Sequence, residues 1–149
     1  MLGDLAVTLV EGEDELLEIV PLKQADDSEA TKSQIPSELA LEKVIRLHEK
    51  GHNFWLARLN GQPIGYAVGI GHGDWYQSMG IYVTPDHRGQ GIGSELKRAQ
   101  IDFTRDNGFE GFLSNVDGTN KASKRVLEKS GFRLVPNAGG YSGILKLRE

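Results

Sequence analysis

Three glycines at alternate positions, Gly89, Gly91 and Gly93, follow Arg88 in the segment RGQGIG. A glycine-rich turn presents backbone N–H groups with no side chains in the way. Apolar residues then recur at helical spacing, at Ile92, Leu96, Ala99 and Phe103. The first turn of that helix adds unpaired N–H donors and the positive end of the helix dipole. Together these features predict an anion site suited to a phosphate or pyrophosphate.

Two other interpretations of this turn stay open. The glycines could serve only to connect a strand tightly to a helix. A dinucleotide-binding fingerprint would need its third glycine where the chain has Ser94, although Glu110 follows about twenty residues later, as an acidic ribose ligand should. A P-loop is excluded because no Gly-Lys-Ser/Thr closes the turn.

The elements that must position this turn are predicted from hydrophobic periodicity and turn signals. Asn60-Gly61 between two apolar runs predicts a β-hairpin. The predicted strands are 5–10, 54–59, 64–70, 75–83, 111–116, 132–135 and 141–147. The predicted helices are about 13–20, 38–50, 91–106 and 120–130. Pro21 is expected to end or kink the first, Ser37 to cap the second and Thr119 or Asn120 to cap the last, while Lys97 is expected on the wet side of the third. Residues 24–37 are polar and are predicted to be a surface loop. The sum is an α+β layer of about seven strands and four helices, with the strands at 75–83 and 111–116 parallel.

Composition limits the class of protein. The chain has 149 residues, which is most simply one domain over 1–149. A net charge of −4 argues against general nucleic-acid binding. The absence of cysteine excludes disulfides, thiolate zinc sites and cysteine nucleophiles. The first residues lack the basic start and apolar core of a signal peptide, and no segment reaches membrane-spanning length, so we expect a cytoplasmic protein with no membrane partner.

The segment His48-Glu49-Lys50-Gly51-His52 formally matches the zinc motif H-E-x-x-H. A zinc site needs both histidines on one face of a continuous helix and a third ligand. Gly51 stands where the helix should end, and His52 leads into a strand. The match is therefore interpreted as chance, and no metal is predicted.

The segment from Arg88 to Gly93 resembles the Arg/Gln-x-x-Gly-x-Gly/Ala signature of the GNAT superfamily of N-acetyltransferases. The preceding IYVTPDH is similar to that family's fourth strand, and NKASKRVLEKSGF, residues 120–132, is similar to its second conserved helix and the Gly-Phe that follows. The likeness covers the chain from Phe54 to its end. It implies a GNAT-like mixed, mostly antiparallel sheet in three α/β layers, in which the fourth and fifth strands, 75–83 and 111–116, splay apart.

The resemblance also implies acetyl-CoA as co-substrate. Backbone amides from Gln90 to Ser94 would wrap the pyrophosphate of coenzyme A, and Arg88 would act mainly through its main chain. The pantetheine arm would lie between the splayed strands. The residues implied in cofactor binding are Ile81, Tyr82, Val83, Arg88, Gly89, Gln90, Gly91, Ile92, Gly93, Ser94, Asn120 and Ser123.

The implied activity is transfer of an acetyl group to a primary amine by direct attack in a ternary complex. The N–H of Val83 is the candidate oxyanion donor, and Asp74 and His72 are the nearest candidate bases. Leu127 stands where the family often has a proton-donating tyrosine, so Tyr82 or Tyr141 would have to replace that acid. The alternative is a non-catalytic acyl-CoA-binding or regulatory module.

The expected partner is a small-molecule or peptide amine, with a homodimer possible. In the family, the segments between the first two strands shape the acceptor pocket. The carboxylates of Asp26, Asp27, Glu29 and Glu38 in that region would either attract a cationic amine or form a solvated acidic loop.

Overall fold

The computed structural model describes residues 6–10 and 15–148, which form eight strands and four helices. The strands are β1 (Ala6–Val10), β2 (Glu15–Leu22), β3 (Asn53–Leu59), β4 (Gln62–His72), β5 (Trp75–Val83), β6 (Gly111–Asp117), β7 (Arg133–Asn137) and β8 (Gly140–Lys146). The helices are α1 (Glu29–Lys32), α2 (Leu41–Glu49), α3 (Ile92–Asp106) and α4 (Lys121–Lys129). A short 3-10 helix, Pro85–His87, lies between β5 and α3.

The strands form one open sheet in the order β1-β2-β3-β4-β5-β6-β8-β7. Every neighbouring pair is antiparallel except β5 and β6, which are parallel and are connected by α3. A parallel pair needs a crossover of this kind, whereas antiparallel neighbours need only a turn. The predicted mixed, mostly antiparallel sheet is confirmed.

The core lies on both faces of the sheet, because neighbouring side chains of β3 alternate between two clusters. Trp55 and Ala57 pack on one face with Ile92 and Leu96 of α3 and Leu127 of α4. On the other face, one cluster contains the β-strand residues Leu22, Phe54, Leu56 and Val68 with Leu39 and Val44, and Val44 belongs to α2. Helices therefore cover both faces, which gives three layers. None of the helices described is long and apolar enough to cross a membrane.

The helix predicted over about 13–20 is wrong, because the part of it that the structure describes is strand β2. Leu17 and Ile19 are buried while Leu16 is 37% exposed, which is the two-residue period of a strand. Glu18 pairs with Arg58 of β3, with 3.9 Å between the carboxylate and guanidinium atoms. Pro21, predicted to end or kink a helix, lies within β2 opposite Trp55 of β3, two residues beyond Ile19, the last residue that pairs with the described part of β1. The sheet therefore has eight strands where about seven were predicted.

The segment predicted as a polar loop over 24–37 contains the short helix α1. Ser28 caps it, since its Oγ accepts a hydrogen bond from the N–H of Thr31 at 3.2 Å. Ser37 was predicted to cap the following helix, and this prediction is wrong. α2 starts after Ala40, and the Ser37 hydroxyl donates instead to the carboxylate of Glu38. Gly51 ends α2 with a φ of +96°, as expected for a helix terminus.

Gly65 of β4 is expected to be sensitive to substitution because it lies against the backbone of β5. A Cβ atom there would come within 2.6 Å of the carbonyl oxygen of Tyr82, which cannot rotate away. We expect Gly65→Ala to lower the free energy of unfolding by about 1–3 kcal/mol in urea denaturation. The matched control is Gly80→Ala in β5, where a Cβ meets nothing within 4 Å and the change should stay within about 0.5 kcal/mol. Equal losses in the two variants would contradict this explanation.

Candidate functional site

The parallel strands β5 and β6 pair only over part of their length. Their register runs from Trp75 opposite Gly111 to Ser78 opposite Ser114, and no pairs follow. A β-bulge occurs in β5 at the same point. Ser78 and Gly80 both pair with residues of β4, whereas Met79 between them has no partner there. Beyond the bulge the two strands separate and leave a cleft between residues 79–83 and 115–117. The predicted splaying of these strands is confirmed.

The backbone of β5 directs its polar groups into this cleft. The N–H of Thr84 donates to the carbonyl of Ile64 at 2.8 Å, which turns residue 84 toward β4. Because alternate residues of a strand present their N–H groups to opposite edges, those of Ile81 and Val83 face the cleft. The carbonyl of Val83 also faces away from β4, since it accepts a hydrogen bond from Nε of Arg88 at 2.8 Å.

A cavity of about 780 Å³ occupies the cleft and continues to the start of α3 and to α4. This volume is in the range of small-molecule and cofactor sites. Every residue predicted to bind the cofactor lines it except Gln90, and the predicted catalytic residues Tyr82 and Val83 line it as well.

The two candidate bases lie elsewhere. His72 and Asp74 are exposed at the turn between β4 and β5 and do not line the cavity. The carbonyl of Asp74 accepts the N–H of Glu110 at 2.7 Å, a contact that joins this turn to the start of β6. The cleft begins beyond Ser78, which is four residues, or about 13 Å of strand, from Asp74. Catalytic roles for His72 and Asp74 stay predictions that this geometry does not support.

The glycine-rich turn has the geometry of an anion site. Gly89 and Gly91 have φ angles of +80° and +84°, in the left-handed region that side chains disfavour. Gly91 is the N-cap of α3, and no side chain caps that helix. The first helical donor to find its partner is the N–H of Glu95, which bonds to the carbonyl of Gly91 at 3.1 Å. The N–H groups of residues 92–94 therefore have no intrahelical partner and can bind an anion.

The side chain of Arg88 has a structural role that the sequence did not indicate. Besides its bond to Val83, its guanidinium carbon lies 5.4 Å from the centre of the Tyr82 ring. Tyr82 in turn stacks on Tyr66 at 5.6 Å, and burial raises the pKa of the Tyr66 hydroxyl. Arg88 therefore fastens the turn to the end of β5. His87, in the same turn, shares a hydrogen bond of 2.8 Å with the hydroxyl of Thr84.

Asn120 is held at the start of α4. Its Oδ1 accepts the N–H of Ser123 at 3.1 Å and thereby caps the helix. Both residues line the cavity opposite β5. The predicted cap at Thr119 or Asn120 is thus confirmed for Asn120.

A buried polar group at the closed end of the cleft was missed. Lys97 was predicted on the wet side of α3, but it is only 9% exposed, and its Nζ donates to Oγ of Ser114 at 2.7 Å. Next to it, Ser78 donates to the buried amide of Gln100 at 3.0 Å. Residues 97, 100 and 104 recur at i, i+3 and i+7, which places them on one helix face. That spacing can be seen in the sequence, but the three side chains are polar, so the pattern did not indicate a buried face.

The acidic residues near α1 are engaged locally. Asp26 accepts from Ser28 and Thr31, and these hydrogen bonds lower the pKa of its carboxyl. Glu29 lies 3.3 Å from the ammonium of Lys32. These contacts are all within residues 26–32, so the carboxylates of Asp26 and Glu29 stabilise the local conformation around α1.

The two histidines of the H-E-x-x-H match each bind a backbone carbonyl, His48 that of Leu22 and His52 that of Leu47. α2 ends at Glu49, between them in the chain. Within residues 6–10 and 15–148 no group of three or more histidine, aspartate and glutamate side chains is placed to hold a metal ion.

The sequence and the fold both match known acetyltransferases. The profile of the Acetyltransferase (GNAT) family matches residues 18–132. The L-amino acid N-acyltransferase MnaT of Escherichia coli is 32% identical over 90 residues, which are 55% of this chain and 51% of that protein. The chain thus spans about half the length of this curated relative.

Two solved structures show the same fold. The GNAT domain of S. lividans PAT superposes with a TM-score of 0.73 at 19% identity, covering 96% of this chain and 97% of that one. The structure of yncA, a putative acetyltransferase from Salmonella typhimurium with its cofactor acetyl-CoA, superposes with a TM-score of 0.65 at 24% identity, covering 74% and 76% of the two chains.

Proposed function

The chain belongs to the acetyltransferase (GNAT) family, and from this premise we propose that it transfers an acetyl group from acetyl-CoA to a primary amine by direct attack in a ternary complex. The observation that carries the proposal is the cleft between β5 and β6, which runs from the uncapped start of α3 to the β-bulge at Met79. No other cavity is needed for the co-substrate.

The cleft fits the parts of acetyl-CoA in order. The pyrophosphate would bind the N–H groups at the start of α3, where backbone donors and the helix dipole favour negative charge. The pantetheine arm carries amides that would pair with the main chain of Ile81 and Val83, as an added strand would. Five residues of strand, from Val83 back to Ser78, span about 16 Å, which brings the thioester near the point where the strands meet.

The reaction then needs charge stabilisation at the thioester carbonyl. An N–H of β5 that faces the cleft would donate to this oxygen as negative charge develops on it. Val83 is the candidate from the sequence, but the N–H of Ile81 faces the same cleft and lies two residues nearer to the point where the strands meet, so Ile81 is our candidate. Its N–H is fixed by the strand before the substrate arrives, so no reorganisation is required.

The acceptor is proposed to be a small amine or a peptide amine. The E. coli relative is named an L-amino acid N-acyltransferase, so free amino acids come first in a screen. A primary amine is mostly protonated near neutral pH and must lose a proton before it attacks. With no carboxylate among Tyr76, Gln77 and Ser78 of β5, water is the proposed proton acceptor.

The competing function is an acyl-CoA-binding module without catalysis, and Leu127 favours it. Leu127 is 3% exposed and lines the cavity, so an apolar group occupies a position from which it cannot donate a proton. A positioned acid accelerates a reaction by about a hundredfold or more, and its loss alone does not abolish turnover.

The test measures binding and turnover separately. Calorimetry should detect acetyl-CoA and coenzyme A but not NAD, and thiol release from acetyl-CoA should depend on an amine from a panel of amino acids, peptides and polyamines. Binding without thiol release for any amine would favour the non-catalytic module. A rise in melting temperature with NAD and not with coenzyme A would overturn the proposal in favour of a dinucleotide site.

A further inference from the structure

Lys97 places a charged group directly behind the point where β5 and β6 separate. Its partner Ser114 belongs to the last pair of the two strands, opposite Ser78. Nζ of Lys97 also lies 5.4 Å from the centre of the Phe112 ring, so the ammonium rests between a hydroxyl and an aromatic face. Lys97, Ser114 and Ser78 all line the cavity. A buried lysine is costly, and the Ser114 hydroxyl holds this one at the last pair of β5 and β6. Lys97 also lines a second, smaller cavity of about 310 Å³ beside α3.

The other ionisable side chains that line the cavity lie away from this end of the cleft. His87 and Arg88 belong to the turn before α3, and Arg88 is held by the carbonyl of Val83. Asp117 is at the far end of β6 and accepts hydrogen bonds from Thr119. Tyr82, a candidate acid from the sequence, lies beyond the bulge, where its ring stacks on Tyr66. Leu127 contributes only carbon atoms. The closed end therefore holds two serine hydroxyls and one ammonium, and only the ammonium is an acid of useful strength.

We propose that Lys97 is the general acid of this site, protonating the sulfur of coenzyme A as it leaves the acetyl group. This inference rests on the proposed function. As the amine nitrogen forms its bond to the carbonyl carbon, the carbon–sulfur bond breaks and its electron pair goes to sulfur. Lys97 gives one proton to the sulfur and becomes a neutral amine. It regains a proton from water, and the acylated nitrogen loses one to water, so that the products are the amide and the free thiol.

The electrostatics of the site suit this role. Burial lowers the pKa of the Lys97 ammonium to about 8, close to that of an ordinary thiol. Around it on α3, Glu95 and Arg98 pair with each other at 3.7 Å, while Asp102 pairs with Arg105 at 3.3 Å. From the other elements, the ionisable side chains that face the same cavity are Tyr82, His87, Arg88 and Asp117. None of these groups forms an ion pair with Lys97 in the described part of the chain. The ammonium is therefore available to interact with negative charge that develops on the bound ligand.

The first experiment is a variant pair, Lys97→Met and Arg98→Met. The methionine at 97 keeps the length and burial of the lysine stem, while Arg98 lies on the outside of the same helix. We expect Lys97→Met to lower kcat about a hundredfold with little change in KM for acetyl-CoA, and Arg98→Met to leave both unchanged. In the wild type kcat/KM should fall as pH rises through about 8, where free Lys97 loses its proton, and Lys97→Met should lack that fall.

The variant should fold. Below a pH of about 8 the lysine is protonated in both the folded and the unfolded chain, so its full desolvation penalty is present at pH 7. Removing the charge removes that penalty, so the unfolding midpoint of Lys97→Met at pH 7 should not fall. If kcat and the pH dependence of Lys97→Met match those of the wild type, the proposal is overturned.

A second measurement does not require turnover. The thiolate of coenzyme A absorbs in the ultraviolet, so the thiol of the bound molecule can be titrated in the wild type and in Lys97→Met. A neighbouring ammonium lowers a thiol pKa, so bound coenzyme A should titrate about one pH unit below free coenzyme A in the wild type and show no such shift in the variant. A shift without any turnover would support the placement of Lys97 and contradict the proposed transferase. No shift in the wild type would overturn the placement itself.

Discussion

Replacing Ile81 with proline is expected to lower kcat by about a hundredfold to a thousandfold, the cost of removing one oxyanion donor. The substitution removes a single N–H, and that N–H faces the cleft. The bond between Thr84 and Ile64 that joins β5 to β4 is untouched, and β5 is unpaired with β6 at this point. Proline is tolerated at such an edge, so we expect the substitution to lower kcat with little effect on the stability of the fold.

The matched control is Ile81→Ala, which shortens the same side chain and keeps the N–H. It should retain most of the wild-type kcat. Val83→Pro removes the next N–H that faces the cleft, so comparing the two proline variants identifies the donor. Circular dichroism and calorimetry with acetyl-CoA would verify that each variant folds and binds. A kcat for Ile81→Pro within threefold of that for Ile81→Ala would contradict the role assigned to this N–H.

The sequence predicted those parts of the fold that short-range signals determine. Asn60 and Gly61 have φ angles of +52° and +85°, as the Asn-Gly signal for a hairpin requires. The period of apolar residues identified α3 within one residue at its start. β2 was missed because its acidic start and dense apolar residues also fit a helix, and only pairing with β3 decides between the two.

The candidate site was predictable where the backbone supplies the chemistry and unpredictable where side chains from distant segments meet. The turn from Arg88 to Gly93 needs only glycines, a strand and a helix, and all three are local. The contact between Lys97 and Ser114 joins residues 17 positions apart and depends on where β6 returns beside β5. No local pattern marks a lysine as buried, since lysine is almost always exposed unless it is paired.

Replacing Gly91 with alanine is expected to raise the Kd for acetyl-CoA at least tenfold, about 1.4 kcal/mol. A Cβ at this position meets no protein atom within 4 Å, so the methyl group would stand in the open cavity where the pyrophosphate is proposed to bind. The left-handed backbone, with φ at +84°, also costs an alanine about 1–2 kcal/mol of stability.

Gly51→Ala separates these two effects. Gly51 has a φ of +96° and likewise has nothing within 4 Å of an added Cβ, but it lies at the end of α2 and does not line the cavity. Both variants should therefore lose similar free energy of unfolding in urea, and only Gly91→Ala should lose affinity for acetyl-CoA in calorimetry well below the melting temperature. Acetyl-pantetheine, which lacks the pyrophosphate, should bind Gly91→Ala as weakly as it binds the wild type. If its affinity fell with that of acetyl-CoA, the methyl group would be acting on the whole cleft and the turn would not be the pyrophosphate site.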